Sequence, residues 1–227
     1  MLWIKTILGV TVQTAILAFL IYLPAWRIDW PDALLWVSIH YFITIIASMY
    51  LLIKKPASIE ARLNYKPEAQ PQEDKLATTL MFSAILVGLA LSPIDVFHLE
   101  LSTAFSGWIK NSGLVIYILG MLFLIAAFSA NEFAETTVNI QESRGQRVID
   151  TGAYALVRHP MYTGFILFII GVNIWMGTYL SLTLSICFLA MALRSRIKVE
   201  EEALMKDLDG YEDYCKRVKA RVIPFIL

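Results

Sequence analysis

Residues 160–196 read "PMYTGFILFIIGVNIWMGTYLSLTLSICFLAMALRSR", two apolar runs parted only by Gly177, Thr178 and Tyr179 and closed by two arginines. Neither run, 161–177 or 179–193, contains a charged residue. Each is shorter than the roughly 20 residues that carry a straight helix across the hydrocarbon core, so a tight hairpin whose legs tilt or cross incompletely is expected. Working outward, four more apolar segments appear, at 4–23, 33–53, 76–97 and 113–131, which makes six. The chain has 227 residues, of which 58% are hydrophobic and 17% charged. Soluble domains carry about a quarter charged residues. No strand-length alternation points to a barrel, so the fold class is an all-α, polytopic membrane protein. The first segment runs to Leu23 without a small-residue cleavage site, and a retained span is expected there rather than a signal peptide.

Lysines and arginines divide unevenly between alternate connections. One side holds Lys5, five in residues 54–75, three in 132–160 (Arg144, Arg147, Arg158) and eight from Arg194 to Arg221, while the other holds Arg27 and Lys110. Cytoplasmic loops are enriched in such residues, so both termini and the last two polar regions are expected in the cytoplasm, of a bacterial inner membrane or of the endoplasmic reticulum. Trp26, Trp30 and Trp108 would then sit at the outer interface as aromatic anchors. The tail places Ile197, Leu204 and Leu208 at near-helical spacing, which predicts that the last span continues as an amphipathic helix to about Gly210. A second short helix would hold Tyr211, Tyr214 and Val218.

Net charge is zero, with 19 basic and 19 acidic residues, so nothing suggests a nucleic-acid partner. Cys187 and Cys215 form no disulfide framework, and His40, His98 and His159 fall in no metal-ligand spacing, so no metal is expected. Chemistry concentrates instead around "YALVRHPMYTG", residues 154–164. Pro160 suits the first turn of a helix, which places Arg158 and His159 just outside its N-terminus, where unpaired N–H groups favour anions. Tyr162, one turn in, adds a hydroxyl. A hairpin would bring this motif beside Arg194, Arg196, Glu200 and Glu201. Such a paired site could receive a zwitterion, its carboxylate near Arg158 and its ammonium near Glu200 or Glu201.

The stretches "TGAYALVRHPMYTG" (151–164), "RSRIKVEEEALMKDLDGYEDYCKRV" (194–218) and "VIPFIL" (222–227) together resemble the isoprenylcysteine carboxyl methyltransferase family, integral membrane enzymes that use S-adenosylmethionine. The resemblance rests on Arg158, His159, Pro160 and Tyr162, on the acids Glu200 and Glu201, and on the Tyr211 and Tyr214 pair, in that order. It covers about residues 131–227, which would form the cofactor-binding catalytic core of a single membrane domain, with 1–130 shaping the lipid side. It implies S-adenosyl-L-methionine bound at the cytoplasmic face, with Gln141, Val148, Gly152, Tyr154, Arg158, His159, Tyr162, Glu200 and Glu201 around it. It also implies a lipophilic acceptor entering from the bilayer, most simply the carboxylate of a prenylated cysteine, held by Arg158 or Arg194 beside Tyr162. A carboxylate is ionised at neutral pH, so transfer to it needs alignment and exclusion of water rather than a strong base. The chain departs from the family at Ala153, where a proline is usual, and at Leu208–Gly210, where the family has Phe-Gly.

Other readings weigh against these. Arg158 alone would be a topology anchor, and Glu202 a solvated helix position. His40, inside a span, reads as a hydrogen-bonded packing residue, and Asp95 and His98 as interfacial residues. A phospholipid amine or a thiol could replace the carboxylate as acceptor. Sterol-type reductases using NADPH share a similar C-terminal half but would be longer. Transport is disfavoured, since the spans hold almost no charge.

Overall fold

The structure is a computed structural model, and it describes residues 1–63, 72–102, 105–134 and 145–224. Its helices are α1 (Leu2–Ala25), α2 (Pro31–Lys54), α3 (Pro56–Leu63), α4 (Gln72–Ile94), α5 (Gly107–Ala130), α6 (Pro160–Met176), α7 (Tyr179–Asp207) and α8 (Tyr211–Arg217). All but α6 among the six expected segments are long and apolar enough to span a bilayer; α6 has 17 residues. The last segment is not short. α7 runs 29 residues as one helix, its apolar part ending at Leu193 and its polar continuation reaching Asp207. The short helix α3 and a π-helical turn at Asp95–Leu99 are not visible in hydropathy.

The turn between α6 and α7 is as tight as its sequence suggests. Gly177 adopts φ 81°, a left-handed conformation that only glycine takes cheaply, and its N–H meets the carbonyls of Asn173 and Ile174, both at 3.1 Å. Yet the two legs pack more extensively on other helices than on each other: α6 lies mainly on α5, and α7 mainly on α4. Glycines at matching seven-residue intervals explain the first pairing. Gly113 and Gly120 of α5 interleave with Gly164 and Gly171 of α6, and a Cβ at Gly171 would lie 2.3 Å from the Tyr117 backbone nitrogen. Removing side chains at a helix crossing lets the backbones approach, the usual device where lipid supplies no hydrophobic drive. The second pairing is polar. Ser92 on α4, Asn173 on α6, and Thr178 and Ser181 beside the turn form a buried hydrogen-bonded cluster, with Ser181 donating to Asn173 at 2.6 Å.

Between these contacts, α2 inserts Trp36 and His40 against Tyr117 and Phe168, and His40 Nδ1 lies 2.8 Å from the Tyr117 hydroxyl. His40 is thus a packed, hydrogen-bonded residue. Asp95 is fully buried rather than interfacial: its carboxylate accepts from the backbone N–H of Ser102 at 3.1 Å and from the Ser102 hydroxyl, capping the turn after the π-helix. Trp26 and Trp108 are exposed, as interface anchors would be, but Trp30 is buried edge-on to Phe97. The core at this end needed its ring more than the interface did.

Candidate active site

At the opposite end of the bundle, the start of α6 and the polar part of α7 meet. Pro160 occupies the first helical position of α6, and the extended backbone before it pairs with the chain's final segment: Arg158 and His159 donate to the carbonyls of Ala220 and Arg221 at 2.9 and 2.8 Å. The Arg158 Nη1 caps the end of α8 as well, donating to the carbonyls of Val218 and Lys219. This strap holds the Arg-His-Pro motif rigidly against α7, so that side chains some 40 residues apart in sequence form one cluster.

Its centre is Tyr162, 2% exposed. The Tyr162 hydroxyl donates to Glu200 Oε2 at 2.5 Å and accepts from Arg196 Nε at 2.9 Å, while its ring stacks on the His159 imidazole at 5.4 Å. Beside it lies an ion-pair network. Glu201 Oε1 takes Arg158 Nε at 2.8 Å and His159 Nε2 at 3.2 Å, and Oε2 takes Arg221 at 3.1 Å. The first consequence is that Arg158 and Glu201 satisfy each other, so they are not the two jaws of a zwitterion clamp. Glu200 is left for that purpose: its Oε1 has no partner among the described residues, as is also true of Arg158 Nη2.

A cleft opens over this cluster. Arg158, His159, Tyr162 and Glu200 line it, as do Val148 and Tyr154 from the preceding segment. Gly152 does not reach it. With φ 60° it starts the 3₁₀ turn Gly152–Ala155 that delivers Tyr154, whose hydroxyl accepts from Asn131 at 3.2 Å and whose carbonyl accepts from Tyr214 at 2.8 Å. Gln141 lies outside the described residues. Burial raises the phenols of Tyr154, Tyr211 and Tyr214 above the ordinary tyrosine value, so all three stay neutral hydrogen-bonding groups. Among them Tyr211 stands out, because its buried hydroxyl has no hydrogen-bond partner among the described residues, in a cleft that it lines.

Arg194 points elsewhere, and Glu201 too borders the far side of α7 rather than the cleft. Two residues turn a helix by roughly 200°, so Arg194 and Arg196 face opposite ways. Arg196, 4% exposed and one turn before Glu200, faces the cleft, whereas Arg194 is exposed on the far side of α7. The register of α7 against α6 decides between them, and the sequence "RSR" does not contain it. The i,i+4 relation of Arg196 to Glu200 was the available signal. Nothing in the sequence announced the unpartnered Tyr211 hydroxyl or the contribution of Asn131.

Arg196 also borders a second, mostly apolar cleft. Met81 of α4, Phe128 of α5, and Met161 and Phe165 of α6 line it, with two guanidinium groups, Arg196 and Arg62. Ala134, Met161, Tyr162 and Arg196 belong to both clefts, so the two share a wall. A polar, tyrosine-lined cleft thus abuts an apolar one across Tyr162.

Residues 108–209, which include α5, α6 and α7, match the family model of phospholipid methyltransferases. Over 125 residues the chain is 31% identical to protein-S-isoprenylcysteine O-methyltransferase B of Arabidopsis thaliana, covering 52% of this chain and 61% of that protein. Over about half of its length the chain is similar to isoprenylcysteine methyltransferases. The probable protein-S-isoprenylcysteine O-methyltransferase of Oryza sativa subsp. indica is 29% identical over 157 residues, 66% of this chain and 81% of that protein. The Rattus norvegicus protein-S-isoprenylcysteine O-methyltransferase is 32% identical over 127 residues, 52% of this chain and 42% of that protein. The chain therefore spans about three fifths of the Arabidopsis methyltransferase and two fifths of the rat one.

Proposed function

We propose that the protein is a membrane-embedded methyltransferase that moves a methyl group from S-adenosyl-L-methionine to the carboxylate of a lipophilic acceptor, a prenylated cysteine or a molecule like it. The observation that carries this reading is the shared wall at Tyr162, where a polar cleft fitted to a water-soluble donor meets an apolar cleft fitted to a lipid. The residues of the polar cleft suit the donor's functional groups. Glu200 offers a free carboxylate oxygen for an ammonium, Arg158 Nη2 and the Tyr211 hydroxyl offer donors for a carboxylate, and the tyrosine faces favour a cationic sulfonium.

The bound donor would supply an electrophilic methyl group, and everything else falls to the chain. Arg196 positions the acceptor carboxylate at the wall between the clefts, while Met81, Phe128 and Phe165 surround its apolar portion. Tyr162 joins the two sides, since it bonds the donor-side Glu200 and the acceptor-side Arg196 with one hydroxyl. No base is needed, because the attacking oxygen is already ionised, and the catalytic contribution is alignment in a site shielded from water. The excess of lysine and arginine at this end supports a cytoplasmic orientation, on the side where the donor is made available.

The match to the phospholipid methyltransferase model favours a second acceptor class, a lipid amine. The relatives favour the carboxylate instead, since those from Arabidopsis thaliana, Oryza sativa subsp. indica and Rattus norvegicus are named protein-S-isoprenylcysteine O-methyltransferases. Titration of the detergent-solubilised protein with S-adenosylhomocysteine and with NADPH tests the donor assignment. Saturable heat with the first and none with the second is expected, and the reverse would assign the fold to a reductase.

A further inference from the structure

The outward face of α7 carries a groove that the methyl-transfer reading leaves unused. Arg194, Ile197, Lys198, Glu201 and Glu202 recur there at helical spacing, and with Arg221 they line about 830 Å³ of open space on the side of α7 away from the main cleft. Its charges do not balance. Arg194 makes no hydrogen bond or ion pair among the described residues, and Lys198 reaches Glu202 only at 3.9 Å, with both side chains largely exposed. Glu201, although near Arg221, already serves Arg158 and His159. Arg221 shares Glu201 with Arg158, and Lys198 has only its long contact to Glu202, so among the described residues Arg194 is left with no carboxylate of its own.

Arg194 is the first residue past the apolar part of α7, so the groove opens at headgroup depth. Directly along the same helix face, Cys187, Ala190 and Met191 are all exposed, a shallow apolar strip leading from the bilayer to the cations. We propose that this groove binds an anionic phospholipid, its phosphate between Arg194 and Lys198 and an acyl chain along Cys187, Ala190 and Met191. The net negative charge of such a headgroup would meet the excess of cations, to which a zwitterionic headgroup brings no net charge. The proposal needs no turnover and stands apart from the identity of the methyl acceptor.

Native mass spectrometry of the full chain, with phosphatidylglycerol and phosphatidylcholine of the same acyl composition, tests it. The unaltered protein should retain one phosphatidylglycerol in preference to phosphatidylcholine. The double variant Arg194→Gln/Lys198→Gln should lose about 30-fold in phosphatidylglycerol affinity, the share of two interfacial cations, while Lys216→Gln, at an exposed lysine on α8, should not change it. Equal retention of both lipids, undiminished retention by the double variant, or displacement by millimolar inorganic phosphate would each overturn the proposal.

Discussion

The Tyr162 hydroxyl bonds both Glu200 and Arg196 directly, and a phenylalanine in its place would take one buried hydrogen bond from each. Losing such a bond costs about 1–3 kcal/mol, so Tyr162→Phe should lower kcat/KM by roughly 5- to 100-fold while the ring still fills its site and the protein stays folded. Steady-state methyl transfer alongside a melting curve checks this. Glu201 serves stability instead. Removing the carboxylate that pairs the buried Arg158 strands that cation, so Glu201→Gln should cost about 3–5 kcal/mol of stability, read as a lowered thermal midpoint. At this scale the sequence was partly legible. Arg158, His159, Tyr162 and Glu200 could be nominated from motif and spacing, but which acid serves the cleft and which is consumed by Arg158 depends on the rotation of α7, a tertiary quantity. The same rotation exchanged Arg196 for Arg194.

Among the elements, α5 and α6 determine where the Arg-His-Pro motif stands, through backbones that touch at four glycines. Gly171→Ala would drive a Cβ to 2.3 Å from the Tyr117 backbone nitrogen, a contact that no rotamer change relieves. Overpacking of this kind costs about 1–3 kcal/mol, and here it also displaces the start of α6, so both the melting temperature and donor affinity should fall. Gly107→Ala, where an added Cβ meets nothing within 4 Å, is the control that should leave both unchanged. Hydropathy located every spanning helix, because a bilayer imposes length and apolarity on each one separately. It did not reveal that α6 lies mainly on α5 and α7 mainly on α4, since helix pairing in lipid depends on small residues and buried hydroxyls rather than on apolar content. The π-turn at Asp95–Leu99 and the burial of Trp30 escaped for the same reason: both answer to local packing.

For the whole molecule, a polar cleft at one end of a helical bundle adjoins an apolar cleft that reaches between the helices, with Tyr162 and Arg196 in the wall between them. The order of motifs in the last hundred residues made this arrangement legible as a methyltransferase-like site. The first 130 residues contribute Arg62, Met81 and Phe128 to the apolar cleft, and no motif marked them because each is an ordinary residue made specific only by its neighbours. If Arg196 holds an acceptor anion, Arg196→Gln should abolish transfer while S-adenosylhomocysteine still binds through Glu200, Arg158 and Tyr211, a separation that calorimetry and turnover together would reveal. The most direct measurement of the central claim is transfer of labelled methyl from S-adenosylmethionine by the purified protein, offered a farnesylated cysteine with a free carboxylate, its amide counterpart and phosphatidylethanolamine. Label should appear as a base-labile ester on the free carboxylate alone; label on the lipid amine, or on no acceptor despite donor binding, would contradict the account.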